Sequence, residues 1–79
     1  MRVLLFAGLA EAVGRREVEL PEDGAVEATV DEVVARLRES FPALTGHVFR
    51  VAVDRRYARG DELVAAGAEV ALIPPVSGG

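Results

Sequence analysis

The sequence predicts an α+β fold, a mixed sheet of about five strands packed on one main helix. Three observations lead there. Short apolar or alternating runs recur along the chain at strand length, each bounded by Gly, Pro or Asp. One stretch, from Val30 to Phe41, has a sustained helical period. The 79 residues are enough for a single core, and no linker, repeat or low-complexity segment divides them. Residues 1–79 therefore read as one domain, with 74–79 as a protruding tail.

The elements follow in order. Residues 2–7 are a continuous apolar run, fitting a strand that is buried on both faces or central in its sheet. Val3 and Leu5 point one way, Leu4 and Phe6 the other. Leu9–Val13 reads as a short helical turn stopped by Gly14. Residues 15–20 alternate loosely, with Val18 and Leu20 inward and Glu17 and Glu19 outward, as in an edge strand. Pro21-Glu22-Asp23-Gly24 is a turn. Thr29 and Glu32 form a capping box for the main helix. Val30, Val33, Val34, Leu37 and Phe41 make its apolar stripe. Asp31, Glu32, Arg36, Arg38 and Glu39 take the opposite face, and Pro42 ends it.

Residues 43–48 are a connection without a strong pattern. Phe49–Val53 alternates as a third strand, and residues 54–58 read as a turn into a short fourth. Glu62-Leu63-Val64-Ala65-Ala66-Gly67 suggests a turn or brief helical piece, and Glu69–Ile73 is the last strand. A hairpin, a crossover helix and returning strands give a mixed sheet wrapped round one helix, the β-grasp arrangement.

Composition narrows the chemistry. Cysteine is absent, which excludes disulfides, thiolate catalysis and thiolate metal sites. One histidine, His47, does not make a zinc site. The net charge of −4 argues against nucleic acid. No apolar run approaches the roughly 18 residues of a membrane span. Met1–Phe6 is too short for a signal peptide and is soon followed by Glu11, so the chain is expected in the cytoplasm. All nine basic residues are arginine. With no lysine, the chain offers no side-chain amine for isopeptide bonds or Schiff bases.

No catalytic constellation stands out. Ser77 has only His47 as a conceivable base, and Asp61, Glu62 and Glu69 fall around turns, where carboxylates are solvated. Arg55-Arg56-Tyr57-Ala58-Arg59 is the one basic cluster; it is either a solvated hairpin surface or a docking patch for an acidic partner. The unusual feature is the end of the chain, Ile73-Pro74-Pro75-Val76-Ser77-Gly78-Gly79. Pro74 and Pro75 fix φ and stiffen the exit from the fold. Gly78 and Gly79 give a thin tip without Cβ atoms. Four residues, Val76–Gly79, reach at most about 14 Å, which suits a carboxylate delivered into another protein's narrow site.

With these residues in view, the sequence resembles the small subunit of molybdopterin synthase, the MoaD family of ubiquitin-like sulfur carriers. The resemblance runs along essentially the whole chain. It rests on residues 5–14, on Val51-Ala52-Val53-Asp54, and above all on residues 69–79. Two departures lie in loops: Asp54 stands where the family usually has Asn, and Ala66-Gly67-Ala68-Glu69 replaces Asp-Gly-Asp-Glu.

The resemblance implies a sulfur-donating co-substrate subunit, not an enzyme standing alone, with no permanently bound cofactor and no metal. A ubiquitin-activating-type partner adenylates the Gly79 carboxylate with ATP. A persulfide sulfur donor converts it to a thiocarboxylate, and the large subunit takes the tail and passes sulfur to a pterin precursor. Pro74, Pro75, Val76, Ser77 and Gly78 would line the channel contact. Phe6, Tyr57 and Ile73 would lie on the large-subunit interface, unless they are ordinary core residues of the second sheet face. Two alternatives use the same tail: a sulfur carrier for thiazole or amino-acid synthesis, and a ubiquitin-like protein modifier.

Overall fold

The computed structural model describes residues 1–21 and 27–75. In chain order the elements are β1 (Arg2–Leu5), α1 (Gly8–Val13), β2 (Glu17–Glu19), β3 (Glu27–Thr29), α2 (Val30–Ser40), a 3-10 turn (Pro42–Leu44), β4 (Arg50–Val53), β5 (Arg56–Tyr57), β6 (Leu63–Ala65) and β7 (Glu69–Ile73). Five strands form one sheet in the order β2-β1-β7-β4-β5, and β3 and β6 form a separate pair. The β1–β7 contact is parallel; the other pairings are antiparallel.

The period-2 pattern decides which side each strand buries. Val3, Leu5, Val18, Val51, Val53, Val70 and Leu72 project from the sheet onto one face. Val30, Val33 and Leu37 of α2 close over them, with Leu9 and Leu44 filling the ends. Val34 and Phe41 extend the helical stripe as half-buried residues. Among the described residues, no polar or charged side chain is buried in this core. Nor, among the described residues, is any helix long and apolar enough to cross a membrane.

Local signals explain the element ends. Gly14 takes φ 84°, and its N–H donates to the Ala10 carbonyl at 2.8 Å, closing α1 in the left-handed cap that favours glycine. At α2, the Glu32 N–H donates to Thr29 Oγ1 at 3.2 Å and the Thr29 N–H to Glu32 Oε1 at 3.0 Å, completing the reciprocal capping box. That box holds the Glu32 carboxyl below its ordinary value: the Thr29 backbone N–H acts most, then the Thr29 hydroxyl, with the Arg36 charge assisting against a small desolvation effect.

Several expectations need correction. β1 ends at Leu5 instead of residue 7, because Ala7 adopts φ 49°, ψ −126° and turns the chain into α1. This strand is central but is covered on one face only. The segment 62–67 is neither turn nor helical piece at its centre. Leu63–Ala65 is a strand paired with Glu27–Thr29, a strand that local pattern did not reveal. Only Val64 of β6 is buried, between exposed Leu63 and Ala65, so a run this short has no distinctive signature; its partner is distant in sequence. Arg38, expected on the face opposite the apolar stripe, is half-buried at its flank, and its guanidinium donates to the Leu44 and His47 carbonyls at 2.7 and 3.1 Å. The expected turn residues Glu22, Asp23 and Gly24 lie outside the described residues.

Candidate docking face and tail

The helix covers one face of the sheet; the alternate residues of the same strands form the other. The registers place them in rows. Leu4 pairs with Ala71, and Ala71 with Ala52, which in turn pairs with Tyr57. One step further along, Ile73 pairs with Arg50, and the Phe6 N–H donates to the Leu72 carbonyl at 3.3 Å, extending the β1–β7 ladder. Neighbouring strands lie about 4.8 Å apart, so these rows make a continuous surface.

Its middle is a concavity of about 500 Å³. Ala52 and Ala71 form the low floor, while Leu4, Phe6, Tyr57 and Ile73 form apolar walls. Arg2, Arg55 and Glu69 close the end away from the tail. Phe6 is 46% exposed and Tyr57 51%, so neither is an ordinary core residue, and Ile73 is half-buried. The three residues singled out from the sequence thus converge on one hollow. Ala52 and Ala71 were missed there, although both are small residues in the centre of valine-rich alternating strands. That contrast is a readable signal of a depression in a sheet face.

Charge is distributed unevenly round the hollow. Arg2 bridges two strands, with Nε 3.2 Å from Glu17 and Nη2 3.8 Å from Glu69. The Glu69 N–H donates to Asp54 Oδ1 at 3.0 Å, and the Asp54 N–H to the Glu69 carbonyl at 2.8 Å. The two departures noted from the sequence, Asp54 and the loop ending at Glu69, are therefore one contact. Asp54 and Arg55 both have positive φ, 49° and 68°, as in the tight primed turn that joins paired strands through two residues. Arg56 and Arg59 pair with Glu62 and Asp61, at 3.7 and 3.1 Å. His47 is exposed and outside this face.

β7 is the middle strand of the five, so the tail leaves from the centre of the sheet and beside Phe6. Pro74 is half-buried and Pro75 exposed. Val76, Ser77, Gly78 and Gly79 lie outside the described residues.

A five-stranded mixed sheet on one helix, with an apolar open face and a diglycine tail, defines the class: a ubiquitin-like β-grasp carrier. The ThiS family profile matches residues 3–79, and the chain belongs to that family of sulfur carriers. It is 41% identical to small archaeal modifier protein 1 of Haloferax volcanii, over 95% of each chain. The crystal structure of that archaeal protein has a TM-score of 0.85 against this one, at 38% identity, covering 100% of this chain and 98% of the other. The molybdopterin synthase sulfur carrier subunit of Caenorhabditis elegans is 40% identical, over 100% of this chain and 96% of that protein.

Proposed function

We propose that this chain is the sulfur carrier subunit of a molybdopterin synthase, a cytoplasmic co-substrate whose Gly79 bears the transferred atom. The observation that carries the proposal is the shared origin of tail and hollow. Ile73, the last residue of the central strand, is both a wall of the hollow and the residue before Pro74-Pro75. A protein that covers the hollow thereby receives the tail, and the proline pair limits its directions.

The chemistry requires activation because a carboxylate is a poor electrophile. A ubiquitin-activating-type enzyme joins the Gly79 carboxylate to AMP from ATP, releasing pyrophosphate. The terminal sulfur of a donor persulfide attacks the carbonyl carbon and displaces AMP. A second thiol then cleaves the S–S bond, leaving a disulfide on the donor side and a thiocarboxylate on Gly79. In the large subunit, that sulfur attacks a carbon of the pterin precursor and displaces an oxygen substituent, which leaves with a proton. Water hydrolyses the resulting thioester, so sulfur stays on the pterin and Gly79 returns as carboxylate. Without cysteine, the C-terminal carbonyl is the place on this chain where sulfur can ride.

The test is pterin sulfuration by the large subunit with the full-length carrier against a form lacking Gly79. Full-length protein should support turnover and the shortened form should not; equal activity would overturn the proposal. A second reading, a protein modifier, is favoured by the similarity to the archaeal modifier protein. Intact mass after incubation with the activating enzyme, ATP, a persulfide donor, a second thiol and lysine-bearing target proteins separates the two. Exchange of one oxygen for sulfur marks the carrier, whereas reductant-resistant species of higher mass mark conjugation.

A further inference from the structure

Among the described residues, two arginines lie over aromatic rings, and their remaining bonds differ. Arg38 is 4.7 Å from the Phe49 ring centroid, and its N–H groups are used on the Leu44 and His47 carbonyls. It fastens α2 to the following connection. Arg50 is 3.9 Å from the Tyr57 ring centroid. Among the described residues, no carboxylate or carbonyl takes its N–H groups, whereas Arg2, Arg56 and Arg59 each have an acidic partner. Stacking fixes the plane of a guanidinium while leaving its edge free, and that edge matches a carboxylate in two parallel hydrogen bonds. Arg50 also stands opposite Ile73, at the point where the tail leaves the sheet.

We propose that Arg50, held flat by Tyr57, is a carboxylate-binding anchor for the protein that receives the tail. The partner surface it fits has an apolar side chain for the Ala52–Ala71 hollow and an Asp or Glu beside it. A two-bond contact at this point fixes the partner's rotation about the apolar plug, and hence the direction in which Pro74 and Pro75 aim the tail. Arg50 is a positioning residue, and its role rests on the proposed function, because it presumes a docked acceptor.

The experiment measures affinity of the purified large subunit for the full-length carrier, across salt concentrations, with melting curves for each variant. Arg50→Gln should bind about 10- to 100-fold more weakly, with a shallower salt dependence and unchanged melting. Arg50→Lys should recover little of this, because an ammonium cannot make the paired contact. Arg55→Gln removes the same charge from the rim without a stacked guanidinium and should cost less than about fivefold. Arg50→Glu should abolish binding, and one Asp or Glu→Arg change in the large subunit should restore it. Equal losses at Arg50 and Arg55 would reduce the effect to general electrostatics and overturn the anchor. Wild-type binding by Arg50→Gln, with binding lost in Phe6→Asp, would also remove the anchor but keep the docking face. Wild-type binding by both variants would remove the face as well. Failure of the unaltered carrier to bind the large subunit would overturn the proposed function and this inference together.

Discussion

Truncation of Arg38 is the most exacting test of how the fold is held, because three contacts converge on one guanidinium. The shorter bond, 2.7 Å to the Leu44 carbonyl, is partly buried, and a hydrogen bond from a charged group in such a place contributes about 1.5–3 kcal/mol. The bond to the His47 carbonyl, 3.1 Å, is exposed, and water replaces most of it. The Phe49 ring adds about 0.5–1 kcal/mol. Arg38→Ala should therefore cost about 2–4 kcal/mol, a large share of the total for a domain of this size. Equilibrium urea unfolding followed by circular dichroism measures it, and the melting temperature should fall by more than about 8 °C. Arg38→Met, which keeps the apolar stem, should lose most of the same amount; Phe49→Leu should lose only the ring contribution. A loss below about 0.5 kcal/mol in Arg38→Ala would refute the reasoning, since that is the scale of an ordinary surface substitution.

Two further predictions concern the helix. Leu37 is fully buried, and Leu37→Ala should cost about 2–5 kcal/mol by urea unfolding; a loss under about 1 kcal/mol would mean the core collapses to fill the space. The Glu32 carboxyl is held below its ordinary value in the folded chain, so its contribution is present above the unfolded-state value of about 4. It is lost as pH falls through the lower folded-state value. Glu32→Gln keeps a side-chain acceptor for the Thr29 N–H but cannot titrate. The stability difference between wild type and Glu32→Gln should therefore shrink between pH 7 and pH 3; an unchanged difference would exclude the capping carboxylate from the acid response.

What could be read in the sequence was whatever a single element encodes by itself. The capping box is three residues apart, the Val30–Phe41 stripe repeats on one helix, and the alternation of residues 15–20 declares Val18 and Leu20 as its inward side. The end of β7 at Ile73 was equally legible, because Pro74 and Pro75 have no N–H to continue a ladder; Gly78 and Gly79 lie outside the described residues. Contacts between distant segments were not legible. The β3–β6 pair, the Asp54–Glu69 contact and the clasp made by Arg38 each join residues whose local patterns carry no sign of the other. Ala7 belongs to the same group. Its positive φ would ordinarily call for glycine, and Gly8 follows it, so the sequence placed the end of β1 too late.

The same division accounts for the candidate docking face. Phe6, Tyr57 and Ile73 come from three strands that meet only when β1 and β7 run parallel through the middle of the sheet. That pairing also sets the tail beside Phe6. On the proposed function, an activating enzyme and a sulfur acceptor would each have to reach Gly79, and the tail would be presented to them in turn. If both partners dock on the hollow at the root of the tail, the two events would be mutually exclusive without any conformational change in the carrier. A partner that covers Ala52 and Ala71 would then hold the tail as well, and sulfur would move onward only after one partner leaves and the next takes the same face.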